Sequence, residues 1–155
     1  MENRGLISAL AALGIAQALK IPLGYVQTGQ WNWGKWKEPG GMPSSHSASV
    51  AALAAYTAMS KGIRSLDFAI SSLFGMIVMY DAMGIRRYAG EIASEVNELQ
   101  IKVDRLADQH PGVYHDHRRK HLKEVLGHMP LEVAAGMLLG IVVGTAGAAL
   151  NGSRR

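Results

Sequence analysis

The chain contains no cysteine, which excludes disulfides and thiolate metal sites and leaves the redox compartment unwritten. It is short of charge as well. Asp, Glu, Lys and Arg make up 18% of the 155 residues, against about 25% in an ordinary soluble domain. The net charge is only +4, too modest to indicate a nucleic-acid surface. There is no glycine-rich nucleotide loop and no acidic metal cluster. The opening "MENRGLISALAALG" lacks a clear small-x-small cleavage site followed by a soluble mature domain, so it is expected to be a retained first helix rather than a signal peptide.

What is present is apolar and clustered. Hydrophobic residues make up 48% of a chain long enough for a single domain, 1–155. They gather at 5–19, 46–60, 66–83 and 129–150. A bilayer-spanning helix needs roughly 20 such residues, so the last segment qualifies readily and the second is short. The first helix should stop near Leu19, where Lys20 and Pro22 interrupt it. Trp31, Trp33 and Trp36 in the following loop suit an interfacial belt, or a loop folded over its own tryptophans. In the last segment Gly136, Gly140 and Gly144 recur every four residues. In a soluble helix each would cost about 1 kcal/mol relative to alanine, whereas in lipid a glycine face admits a neighbouring helix closely. The expected fold is therefore all-α: a small membrane helical bundle of about four core helices, with a compact soluble core as the competing expectation.

A fifth helix is expected over about 85–108. Ile85, Ala89, Ile92, Val96, Leu99, Val103 and Leu106 alternate four and three apart, an a/d seam with charges on the other faces. Such a seam seeks one partner helix, and packing within the same chain is the simpler expectation. A homodimer through 85–106, or through the Gly136/Gly140/Gly144 face, is the alternative. His110–Pro111 should end this helix. His117 and His121 lie four apart beyond it, but with no acidic cluster close by and a basic context they read as a solvated loop, not a metal site.

Three stretches can carry chemistry. In "GGMPSSHSA" (40–48), Ser44 or Ser45 can cap a helix whose N-terminus attracts anions, and His46 can pass a proton to a leaving oxygen. A serine cap with an incidental histidine explains the same residues. In "LKEVLGHMPLEV" (122–133), Pro130 suits a first helical turn, and Glu132 lies four residues after His128. A carboxylate-held imidazole is a candidate nucleophile, while an acid complementing the helix dipole is the plainer reading. In "YDAMGIRRYAG" (80–90), Asp81 ends an apolar helix and Arg86 and Arg87 have the fork geometry for phosphate. An Asp–Arg pair closing the turn is equally consistent. Taken together these are parts for metal-free phosphoryl transfer.

In that order, the three stretches resemble the divergent branch of the type-2 phosphatidic acid phosphatase family, related to acid phosphatases and vanadium-dependent haloperoxidases. The resemblance spans nearly the whole chain. It implies an integral protein of a bacterial cell membrane, a lipid phosphate or pyrophosphate substrate, no cofactor and a phosphohistidine intermediate. Carried onto these residues, it makes His128 the nucleophile, Glu132 its orienting partner and His46 the acid. It makes Ser44 and Ser45 phosphate ligands; Arg86, Arg87, Lys35, Lys37 and Lys123 are further candidate phosphate ligands from their charge and position, and Asp81 is a candidate orienting carboxylate. The sequence departs from the wider superfamily in three places. Ser45 replaces a glycine, Leu122 stands where an arginine is expected, and the upstream lysine-to-Arg-Pro motif is absent. Non-catalytic binding of a phosphorylated lipid, or small-molecule transport, is the rival expectation.

Overall fold

Alanine and glycine lie where this chain packs, and its large apolar side chains face outward. The structure is a computed structural model describing residues 3–37, 40–109, 122 and 128–152. Its helices are α1 (Arg4–Thr28), α2 (Ser45–Lys61), α3 (Leu66–Met83), α4 (Ile85–Gln109) and α5 (Pro130–Gly152), with a short 3-10 turn at Trp33–Lys37. Side-chain caps start three of them. Asn3 accepts from Leu6 N–H, Ser44 from Ser47 N–H and Ser65 from Phe68 N–H, contacts typically worth about 1 kcal/mol each.

α2 is the central helix, touching α1, α3 and α5. Gly5 in α1 lies against Leu53 and Tyr56 of α2, and Gly147 of α5 lies against Ser8 of α1. Thus α1 runs antiparallel to both. Gly136, Gly140 and Gly144 face the backbones of Ser44, Ala48 and Ala52 in turn, so α2 and α5 run parallel. A Cβ at any of the three would collide with a carbonyl oxygen of α2. The close approach foreseen for this glycine face is therefore real, but it is made within one chain, and α2 covers the face proposed for a homodimer.

The innermost residues are Ala12, Ala16, Ala48 and Ala52, flanked by Leu139 and Val143. Leu6, Leu10, Ile70, Leu73, Phe74, Ile77, Leu138 and Val142 are exposed. In water that arrangement forfeits the hydrophobic driving force; in lipid, whose chains are as apolar as leucine, helices associate through small-residue packing instead. Three stretches are long and apolar enough to cross a bilayer: Arg4–Val26, Leu66–Gln109 with its apolar part in α3, and Pro130–Gly152. The architecture is a membrane helical bundle. α2, with 17 residues, is not one of the three and is sheltered by them.

Two expectations are corrected. α1 does not stop at Leu19 but continues through Lys20 and Pro22 to Thr28, where Gly29 (φ 69°) ends it. A proline within a membrane helix is tolerated where neighbours and local adjustment meet the freed backbone group. The second correction concerns α4, which spans the expected residues but does not pack through its seam. Ile92, Val96, Leu99, Val103 and Leu106 are exposed, whereas Gly90, Ala93 and Asn97 are buried. Asn97 explains the choice of face: its amide donates to Leu122 O (2.9 Å) and accepts from Leu122 N–H (3.0 Å). His117 and His121 lie outside the described residues.

Candidate active site

The parallel course of α2 and α5 brings two helix N-termini together. Gly40 and Gly41, both at positive φ (103° and 83°), turn the chain sharply into Pro43 and Ser44. An L side chain would be strained at either glycine. Ser44 is fully buried. Its N–H donates to Glu132 O (2.9 Å), stitching the start of α2 to the first turn of α5. Its hydroxyl oxygen accepts from Ser47 N–H (3.3 Å) and from the Ser47 hydroxyl (3.0 Å). Of the two candidate caps it is therefore Ser44 that closes α2. Ser45, also buried, is its first helical residue.

α5 is capped by its own glutamate. Glu132 Oε2 accepts from the N–H of Met129 (3.1 Å), the reach-back half of a capping box. His128 stands just before this cap and is buried, with 4% exposure. Its N–H donates to Ala82 O at the end of α3 (3.0 Å), so α3 fixes the backbone that carries the imidazole.

These constraints converge on the histidines. His46, exposed in the first turn of α2, and buried His128 have ring centroids 6.0 Å apart and planes inclined at 78°. Residues 82 positions apart in sequence thus meet edge to face. One imidazole is open to the surroundings and the other is set inside, at the positive ends of two parallel helix dipoles.

The other foreseen residues fall into two groups. Asp81, half-buried, precedes the Ala82 carbonyl that holds His128 and so lies at this end of the bundle. Arg86 and Arg87 begin α4 just beyond it, and Lys35 and Lys37 lie in the 3-10 turn that Gln17 ties to α1 by donating to Trp36 O (3.0 Å). The side chains of these four residues, and the whole of Lys123, lie outside the described part. Trp31, Trp33 and Trp36 are exposed, with Trp31 stacked on Tyr25 (4.8 Å) and near Trp33 (6.1 Å). Among the described residues no group of three or more His, Asp or Glu could hold a metal ion.

One residue was misread in the sequence. Lys20, taken there as a helix stop, is buried with 5% exposure. It follows Ala12 and Ala16 on the same i, i+4 row of α1, the row packed on Ala48 and Ala52. Because α1 is antiparallel to α2 and α5, Lys20 continues this row one turn towards the end where Ser44 and His128 lie. The signal was present as small residues at positions 12 and 16 followed by a cation at 20, legible only once α1 was known to run on.

Residues 1–143 match the model of the Divergent PAP2 family, and the chain belongs to that family. It is 41% identical over 146 residues to the uncharacterized membrane protein YuiD of Bacillus subtilis (strain 168), with 92% of each chain covered. No solved structure matches. With the spans described above, the protein is an integral membrane protein.

Proposed function

We propose that this member of the Divergent PAP2 family hydrolyses phosphate monoesters or pyrophosphates of lipids at the membrane face. The observation that carries the proposal is the pairing of His46 with His128, 6.0 Å between ring centroids, at two converging helix N-termini.

A ring nitrogen of His128 attacks phosphorus in line. The P–O bond to the lipid alkoxide breaks as the P–N bond forms, and protonated His46 gives its proton to the departing oxygen. His46, now neutral, takes a proton from water, which attacks the phosphohistidine. The P–N bond breaks, inorganic phosphate leaves and both imidazoles return to their starting states. The equatorial oxygens need positive potential. The N-termini of α2 and α5 supply part of it, and the position of Lys20 supports that residue as a buried cation compensating for the missing upstream motif. Arg86, Arg87, Lys35, Lys37 and Lys123 are further candidates, with Ser45. Ser44 acts indirectly, because its hydroxyl is committed to the cap. Asp81 and Glu132 have positioning roles, Glu132 by holding the start of α5 as well as through the imidazole.

The test is release of inorganic phosphate from a panel of lipid phosphates and pyrophosphates by purified protein. His128→Ala should abolish release. His46→Asn should slow turnover by about 10²–10⁴-fold, the usual contribution of a general acid. Full turnover by His128→Ala removes the mechanism. The second reading, a membrane protein that binds phosphorylated lipid without turnover, is favoured by the engagement of the Glu132 carboxylate with Met129 N–H. Phosphate-dependent lipid binding with no phosphate release from wild type would select it.

A further inference from the structure

We infer that the groove between α2, α3 and α5 holds the hydrocarbon chain of the same lipid whose phosphate lies at the histidine pair. This rests on the phosphate reading of that pair.

The groove encloses about 430 Å³ and is lined by Val50, Ala54, Ala58, Met79, Met137 and Ile141 among others. Its lining is almost wholly apolar, and the hydroxyl of Thr145 at its edge donates to Ile141 O (2.8 Å) in its own helix. All three walls lead to the candidate active site. Val50, Ala54 and Ala58 continue the i, i+4 row that starts at His46. Met79 lies one turn before Ala82, whose carbonyl holds His128. Met137 lies one turn after Val133 at the start of α5. From His46 to Ala58 the row runs about 18 Å at 1.5 Å per residue, so a polar head at one end and a linear chain along the groove match this order of surfaces.

The hollow originates in the sequence of α2. Ala51, Ala54, Ala55 and Ala58 face it, where leucines would close α2 against α3 and α5. Met76, Met79, Met137 and Met59 also line it; their unbranched, polarizable side chains adapt to a chain that has no fixed shape of its own. Since lipid is as apolar as this lining, burial away from water does not select the occupant. Selection comes from shape, together with attachment to the phosphate at the groove's head.

Two substitutions make the groove a ruler. Ala54→Phe should block it two turns from His46, and Ala58→Phe three turns away. Monoalkyl phosphates of increasing length, presented in detergent micelles, give the readout as phosphate release. Ala54→Phe should lower kcat/KM for long chains by at least about tenfold, the lower end of what one misfit methylene costs in a hydrophobic pocket. It should leave short chains at wild-type rates, which also shows that the site still folds. Ala58→Phe should penalise only the longer members. An unchanged chain-length profile in both variants overturns the groove while leaving the hydrolase reading intact.

A second measurement does not need turnover. A long-chain alkyl phosphate with a photoreactive diazirine near its chain end should label residues lining the groove of wild-type protein. Unlabelled alkyl phosphate should compete, and the alcohol of the same chain should not. Equal competition by the alcohol means ordinary bilayer lipid fills the groove and overturns the inference. Specific labelling without phosphate release would uphold the groove and sink the hydrolase.

Discussion

Gly136→Ala isolates the contact on which the proposed site depends. A Cβ at this position collides with the carbonyl oxygen of Ser44 and lies 3.1 Å from both the carbonyl carbon and the nitrogen of that residue. Ser44 is buried backbone at a helix start, so it cannot turn aside like a flexible side-chain end. To regain an ordinary contact distance it must retreat by about 1 Å. That shift acts on the Ser44 N–H bond to Glu132 O, 2.9 Å long, and moves His46 away from His128. Overpacking of this kind costs about 1–3 kcal/mol, and a misplacement of about 1 Å in a reacting geometry can cost on the order of 10²-fold in rate. Gly14→Ala is the control, because a Cβ there meets nothing within 4 Å. Thermal unfolding in detergent, read beside phosphate release, should show Gly14→Ala at or slightly above wild-type stability. Gly136→Ala should be destabilised and lose far more activity than the fraction unfolded explains. Equal stability and equal rates in the two variants would refute the argument that α2–α5 contact sets the histidine geometry.

Other expectations follow from single residues. Lys20→Met keeps the length of a buried side chain while removing its charge; KM for a lipid phosphate should rise about tenfold or more, given roughly 1.5–3 kcal/mol for a charged hydrogen bond, with little change in melting temperature. An unchanged KM would remove Lys20 from the phosphate site. Asn97→Ala withdraws both bonds to Leu122, a loss of about 1–3 kcal/mol where backbone groups are left unsatisfied. Limited proteolysis should then cut faster around residue 122, with the α1–α2–α5 core protected; an unaltered cleavage pattern would refute the clamp.

The sequence carried the fold in its glycines and caps more clearly than in its hydropathy. The four-residue spacing of Gly136, Gly140 and Gly144 foretold a close helix contact, and Pro130 marked the first residue of α5. The identity of the partner was not legible, because a small-residue face fits any helix that offers backbone. α2 offers it through Ser44, Ala48 and Ala52, a row that in isolation resembles ordinary helix-forming alanine. Lys20 and Pro22 misled for a related reason: local propensity ended α1 there, and tertiary packing carried it on. The α4 seam was a true amphipathic pattern, but it did not say which face the chain itself would cover. Two bonds from Asn97, a polar residue outside the seam, decided that. His46 and His128 stood out as candidate residues, but their 6.0 Å separation was not legible, since it depends on the register of α2 against α5.

That register depends in turn on α4 remaining outside the bundle. Neighbouring helices joined by short turns alternate in direction, which places their N-termini at opposite ends. α2 and α5 run parallel because α3 returns the chain to the end where α2 began, and α5 starts from that same end, as the His128 N–H bond to Ala82 O requires. The chain therefore leaves α3 at Met83 and returns at His128 on one face. A helix of 25 residues is long enough to cross a bilayer, but Glu91, Glu95, Glu98, Lys102 and Arg105 make crossing costly. The charge pattern of α4 beyond the arginines at its start is thus what permits two helix N-termini and their histidines to meet.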